Sequence, residues 1–304
     1  MTSSNISTYS QLFPSTSPPS MDSRGVLPAV IMSLSFLLGV PGNIAVIILK
    51  PNFQQLSSMT QSLMLNLAVS DLLFLLTLPL WIYSLLYSWI FGLLACKILA
   101  YLMYCSVYGS VLTIVLLSFQ RYMLIVHQEF YNKTKMRLLL VLLWLVAMTL
   151  SIPAYLVTHE TPDKHWLRCR NQYSCPSEKL AVLLTEILVG FAAFFIVAFS
   201  YIQLYRKVNR AAFFNNPQTS RLVTSIIIVF FVLWIPYHTI NILRVGATAL
   251  HNEKLEKRFA QVQDIVNALA FINSCLNPLL YKTQRESRFI RTHTGRPEKF
   301  KAAV

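Results

Sequence analysis

A few ionisable side chains interrupt the long apolar runs of this sequence. Asp71 lies within Thr60–Tyr87, Glu186 within Lys179–Tyr205 and His238 within Thr219–Val245. A carboxylate taken out of water is costly unless it holds a cation, a proton or hydrogen bonds. Asp71 is therefore read either as a cation ligand or as a protonated member of a structural hydrogen-bond network. Glu186 and His238, the latter one helical turn beyond Trp234, are read as polar contacts for a ligand. The plainer reading makes them a pair that holds two helices together. Arg121-Tyr122 closes the third run, where a guanidinium fork suits carbonyls and carboxylates. Its plainer reading is a side chain that snorkels to the lipid interface. No His-Glu-x-x-His, Gly-x-Ser-x-Gly or phosphate-loop pattern is present, so no enzyme is expected.

The elements that must hold these groups are set by composition. The 304 residues are 55% hydrophobic and 12% charged, about half the charged share of a soluble domain. A spanning helix needs about 20 mostly apolar residues. Seven such stretches occur: Val26–Lys50, Thr60–Tyr87, Leu93–Val126, Arg137–Thr158, Lys179–Tyr205, Thr219–Val245 and Phe259–Tyr281. The expected fold is an all-α membrane protein, a seven-transmembrane helix bundle over residues 26–281. Residues 1–25 form a disordered extracellular N-terminus, and residues 282–304 a short basic cytoplasmic tail. Pro41, Pro79, Pro153, Pro236 and Pro278 interrupt the runs. Membrane helices tolerate them because neighbouring groups satisfy the freed carbonyls.

The net charge of +14 is distributed by side. With the N-terminus outside, 16 of the 26 Lys and Arg fall inside beside three acids, and ten fall outside beside seven. This positive-inside asymmetry sets the expected topology. The basic balance is assigned to anionic lipid and a cytoplasmic partner, not to nucleic acid. Met1–Arg24 lacks the pattern of a cleaved signal peptide, so the first span is expected to act as an uncleaved signal. Asn5-Ile6-Ser7 is a sequon on the expected outer side. Cys96, Cys169 and Cys175 stand at the outer face, where a disulfide can form. Spacing alone leaves the partner of Cys96 open between the other two. No metal-ligand cluster appears. Arg291–Pro297 is similar to a zinc-finger linker, but no Cys pair precedes it.

Four local patterns then resemble one family. They are Gly42-Asn43-Ile44-Ala45-Val46, Leu65-Asn66-Leu67-Ala68-Val69-Ser70-Asp71, Leu233-Trp234-Ile235-Pro236-Tyr237 and Asn277-Pro278-Leu279-Leu280-Tyr281. In this order, on these spans, they resemble the rhodopsin-like G-protein-coupled receptors. Ser118-Phe119-Gln120-Arg121-Tyr122, Glu186 before Gly190-Phe191, and Thr219–Val223 leading to Pro236–Asn241 resemble the leukotriene B4 receptors within it. So does Ala268–Phe271 leading to Asn277.

The resemblance implies a multi-pass plasma-membrane receptor whose partners are a ligand, a heterotrimeric G protein and membrane lipids. It implies a ligand cavity lined by Tyr108, Glu186, Trp234, Tyr237, His238 and Asn241, suited to a hydroxylated fatty-acid chemoattractant. A peptide or another small chemoattractant is the alternative. It also implies an allosteric sodium site at Asp71 with Ser110, Asn273, Asn277 and Asn43, and no other cofactor. Arg121, Tyr122, Tyr201, Pro278 and Tyr281 would couple to the G protein, and Cys96 would pair with Cys169.

Several positions depart from the pattern. Gln120 stands where an aspartate is usual, which leaves a decoy that binds without signalling as another reading. Ala100, Thr158 and Gln263 replace the basic groups that leukotriene receptors direct at the ligand carboxylate. Arg168, Arg170, Arg244, Lys257 and Arg258 are the nearby cations that could substitute. Phe194 replaces the family's proline in the fifth span. A transporter or channel would instead show internal repeats or a path of charges, and neither is found.

Overall fold

The computed structural model describes residues 22–48, 58–127, 133–163, 166–210 and 217–293. It forms α1 (Val26–Ile48), α2 (Ser58–Leu76), α3 (Leu78–Leu86), α4 (Gly92–Tyr122) and α5 (Lys133–Val157). Strands β1 (Thr158–Asp163) and β2 (Trp166–Asn171) follow, then α6 (Pro176–Arg210), α7 (Pro217–Ala249) and α8 (Glu253–His293). Pro79 separates α2 from α3, because it lacks the N–H that would continue the ladder. At the break, Thr77 donates both its amide and its hydroxyl to the Phe74 carbonyl, at 3.2 and 2.8 Å. α2 and α3 together make one rod, so the described residues build seven rods.

Five of these are long and apolar enough to cross a membrane: Ser23–Ile48, Met59–Leu86, Gly92–Tyr122, Thr134–Val157 and Pro176–Leu204. α7 and α8 hold the sixth and seventh expected spans and pack in the same bundle, α8 lying along α1 and α7. Gly42 on α1 permits that approach. A Cβ there would come within 2.8 Å of the Pro278 ring on α8.

The sorting of side chains fits hydrocarbon outside and polar groups inside. Phe195, Leu37 and Val232 are 71%, 64% and 61% exposed, whereas Asn43, Asp71, Thr113, Ser151 and Asn241 are 0% exposed. Many buried hydroxyls bond back to the carbonyl four residues earlier, as Ser106 does to Leu102 and Ser151 to Ala147. With no water available, polar groups are satisfied within the helices.

One end of the bundle is closed by the β1–β2 hairpin. The disulfide joins Cys96, at the start of α4, to Cys169 on β2, and Cys175 is free and exposed. Arg168 on β2 is largely buried beneath the hairpin. Its guanidinium donates to the Ser84, Leu85 and Tyr87 carbonyls at the end of α3 and to Asp22 at 2.6 Å. Asp22 caps the turn Ser23–Gly25 that leads into α1. Its hydrogen bonds with Arg24, reinforced by the charges of Arg24 and Arg168, outweigh burial and hold the carboxyl below its usual range. Lys179 and Glu256, 2.8 Å apart, tie the starts of α6 and α8 together.

Arg168→Ala should lower stability by about 1.5–3 kcal/mol, the usual loss for hydrogen bonds to a charged group. Arg170→Ala should cost little, because Arg170 is about half exposed. The lowered Asp22 carboxyl stabilises the fold above the ordinary carboxylate range. That contribution disappears as the pH falls through the folded value, below that range. Thermal melting of the purified protein across pH 3–7 reads both effects. An Arg168→Ala variant that melts with the parent at neutral pH contradicts the assignment.

Candidate ligand-binding and coupling site

Glu186 is the centre of a buried polar knot below the hairpin. Its Oε1 accepts from the Tyr104 hydroxyl at 3.1 Å. Its Oε2 accepts from the Tyr237 hydroxyl at 2.7 Å and from Asn241 Nδ2 at 3.0 Å. Three helices, α4, α6 and α7, thus meet on one carboxylate. Helical spacing explains the set: Tyr237 and Asn241 are four residues apart on one face of α7, as are Tyr104 and Tyr108 on α4. Tyr108 packs near Tyr104, ring centroids 6.2 Å apart. The remaining void beside Glu186 has a volume of about 10 Å³, roughly one water molecule. Asn241 Oδ1, on the same amide that donates to Glu186, is buried without a hydrogen-bond partner among the described residues.

His238 does not pair with Glu186. It sits in an aromatic cage of Phe191, Phe194, Trp234 and Tyr237, with ring centroids 5.2–6.3 Å away. Gly190 makes room for it, since a Cβ there would strike the imidazole. His238 Nδ1 is buried with no hydrogen-bond partner among the described residues. Phe194, in the place of the family's proline, stacks on Phe231 at 4.9 Å. Trp234 belongs to the central apolar cluster with Met64, Leu67, Val111, Ile114 and Val197.

Asp71 lies deeper and is fully buried. Its Oδ1 accepts from the Ser110 hydroxyl at 2.9 Å and the Ser274 hydroxyl at 3.0 Å. Asn43 Nδ2 donates to the Ser274 and Gly39 carbonyls, each at 3.0 Å. Two amide oxygens, Asn43 Oδ1 and Asn273 Oδ1, are buried without hydrogen-bond partners among the described residues. A carboxylate, hydroxyls and unpaired amide oxygens form the donor set of a hard cation, so the residues present fit sodium. The side chain of Asn277 lies outside the described residues.

At the end opposite the hairpin, Gln120 and Arg121 are both buried. The Gln120 amide meets Thr60 Oγ1 of α2, with oxygen and nitrogen at 3.2 and 3.1 Å. Tyr122 packs its ring edge-on to Phe199 of α6 at 5.8 Å, and its hydroxyl lies 2.9 Å from His127 Nε2. Tyr201 is about one-third exposed on α6. Pro278 is buried within α8; the side chain of Tyr281, and Asn5, lie outside the described residues.

The structure brings Glu186, Tyr237, Asn241 and Tyr108 together and joins Asp71 to Ser110. Sequence reasoning missed Tyr104, Ser274 and Thr60. Tyr104 was detectable as the residue four before Tyr108, and Ser274 as the neighbour of Asn273. Thr60 carried no signal of its own.

Comparison with known proteins gives this geometry a context. The family described as "7 transmembrane receptor (rhodopsin family)" matches residues 42–281. Leukotriene B4 receptor 1 of Rattus norvegicus is 33% identical over 275 residues, covering 88% of this chain and 78% of that protein. The Homo sapiens receptor of the same name is 30% identical, covering 88% and 80%. C-C chemokine receptor type 7 of Homo sapiens is 28% identical, covering 83% and 70%. This chain belongs to the rhodopsin family of seven-transmembrane receptors: it is a multi-pass plasma-membrane protein whose partners are a ligand and a G protein, and not an enzyme.

Proposed function

We propose that the chain is a receptor for a hydroxylated fatty-acid chemoattractant similar to leukotriene B4. The hairpin and disulfide face the cell exterior, and the Arg121 end meets a heterotrimeric G protein. The knot on Glu186 carries this reading. It is a polar focus in an otherwise apolar interior, and ligand sites combine apolar walls with a few placed polar groups. A ligand hydroxyl has a ready acceptor in Asn241 Oδ1, and His238 Nδ1, within its cage of rings, is a second buried nitrogen without a partner among the described residues. The similarity to a C-C chemokine receptor supports a second reading, a peptide ligand. Cells expressing the chain, exposed to lipid and peptide chemoattractants while calcium and cyclic AMP are recorded, separate the two.

Glu186→Gln and His238→Ala should each reduce the potency of leukotriene B4 at least tenfold at equal surface expression. A tenfold change corresponds to about 1.4 kcal/mol, within the range of one hydrogen bond to a charged group. Parent-like responses in both variants would move the ligand site elsewhere.

Asp71, with Ser110, Ser274, Asn273 and Asn43, is proposed to hold a sodium ion that favours the inactive state. Agonist affinity should rise when sodium is replaced by N-methylglucamine, and Asp71→Asn should remove the difference. The same affinity for the parent in both buffers excludes the ion.

Gln120 is neutral and engages Thr60, so it restrains Arg121 less than an aspartate would. Basal G-protein activation should therefore be measurable without ligand and should fall in Gln120→Asp. Arg121→Ala should abolish coupling. A restraint of about 1.4 kcal/mol changes the ratio of two states tenfold. Membranes matched for receptor density, with equal basal activity in parent and Gln120→Asp, would reject the argument.

A further inference from the structure

The cations at the hairpin end differ in what they already hold. Arg24 and Arg168 hold Asp22, Arg170 lies 3.7 Å from Asp163, and Lys179 holds Glu256. Lys97 donates to the Tyr155 and Leu156 carbonyls. Lys254 and Arg258 lie exposed on α8, and Arg244 differs from them in its burial. It is half-buried on α7 and makes no ion pair among the described residues. Its hydrogen bond to a neutral acceptor is long: Nη1 donates to Gln263 Oε1 on α8 at 3.3 Å. Gln263 is itself oriented, because its Nε2 donates to Asn267 Oδ1 at 2.8 Å. A guanidinium has five donors in a fork that matches a carboxylate, and here most of that fork is uncommitted to an anion.

Its position relates it to the knot below. Tyr237, Asn241 and Arg244 stand at i, i+4 and i+7, one stripe of α7. The first two contact Glu186, so the stripe faces the polar knot. At a rise of 1.5 Å per residue, Arg244 is about 4.5 Å above Asn241 and about 10 Å above Tyr237 along the helix axis. Tyr173, in the loop after β2, closes the other side. Burial raises its phenol, while hydrogen bonds with Asn171 and Arg244 and the Arg244 charge act in the opposite direction. No neighbouring acid forms an ion pair with Arg244 among the described residues. Glu256 is taken by Lys179 and Thr248; Asp264 lies in the shared field of Arg24, Arg168, Arg170 and Arg244, and Glu186 feels the Arg244 charge from the knot below.

We infer that Arg244, oriented by Gln263, is an anion subsite above the Glu186 knot and receives the carboxylate of an amphiphilic ligand whose hydroxyl reaches that knot. This inference rests on the proposed fatty-acid reading and specifies it: one acid group, and a hydroxyl a few carbons away, both read from one face of α7. The apolar remainder of the ligand would lie among the rings beside Glu186.

Leukotriene B4 and its methyl ester serve as probes on cells carrying the full-length chain at matched surface density. The ester keeps the hydroxyls and removes the charge. On the parent, the acid should be at least tenfold more potent than the ester in the calcium response. Arg244→Gln should weaken the acid tenfold or more and leave the ester unchanged, so that the two converge. Arg244→Lys, which keeps the charge without the fork, should fall between. Equal losses for acid and ester would make Arg244 a structural residue and overturn the subsite, as would no loss for either. A parent that answers neither probe overturns the fatty-acid reading and the subsite together. A parent that answers both, with Arg244→Gln preserving the acid's advantage, overturns the subsite alone.

Discussion

The absence of water inside the bilayer is the constraint on which the rest of this structure depends. Every polar group placed there must find its partner in the protein, because a lost hydrogen bond is not replaced by solvent. Backbone groups meet the requirement within helices, and serine and threonine hydroxyls bond back to their own turn. The groups left over cannot be scattered. They gather where several helices approach, and the two deepest acids mark those places: Asp71 joins α2, α4 and α8, and Glu186 joins α4, α6 and α7. α4 is common to both, and it packs against α2, α5, α6 and α7.

The same constraint separates the two ends. At the hairpin end water is near, and charges appear as ion pairs that bridge segments far apart in sequence, such as Asp22 with Arg168 and Lys179 with Glu256. Between the ends, outside the Asp71 and Glu186 clusters, the contacts are apolar rings and aliphatic chains. Trp234 stands where the two regimes meet, one turn below Tyr237 on α7 and inside the central cluster. Dense packing transmits displacement, because a filled interior has no slack to absorb it.

Much of the fold was legible because hydrophobic length is a strong signal. The seven apolar stretches correspond to the seven rods, and Pro79 marked the break between α2 and α3. Asp71 and Glu186 were legible as polar residues in apolar company, while the resemblance to leukotriene receptors pointed to Asn241 and to Cys169 as the partner of Cys96. What was hidden depends on tertiary geometry. Sequence offers no way to tell that Arg168 is held by Asp22 and by the end of α3 while Arg244 forms no ion pair among the described residues, since both are arginines on the expected outer side. Nor does it show that His238 is enclosed by rings instead of facing Glu186. That follows from the missing Cβ of Gly190, which lets the imidazole lie against α6. Thr60 could not be chosen as the partner of Gln120, because it is one of many hydroxyls near a helix start.

The satisfied state of Glu186 bears on how a ligand could act on this bundle. Three donors already occupy the carboxylate, and little empty volume remains beside it. On the proposed reading, a ligand hydroxyl enters by taking over one of these bonds or by using the spare oxygen of Asn241. Either event acts on α7, since Tyr237 and Asn241 are both carried by that helix. Their bonds fix its distance from α6, and Trp234 lies on the same helix one turn deeper. A changed set of partners at Glu186 is therefore a changed fit of α7 against α4 and α6. Only a ligand that binds one fit better than the other can shift the balance between them. Hydrogen bonds to a buried carboxylate supply that difference better than apolar contact does. They depend steeply on distance and angle, and methylene groups fit almost any wall of rings.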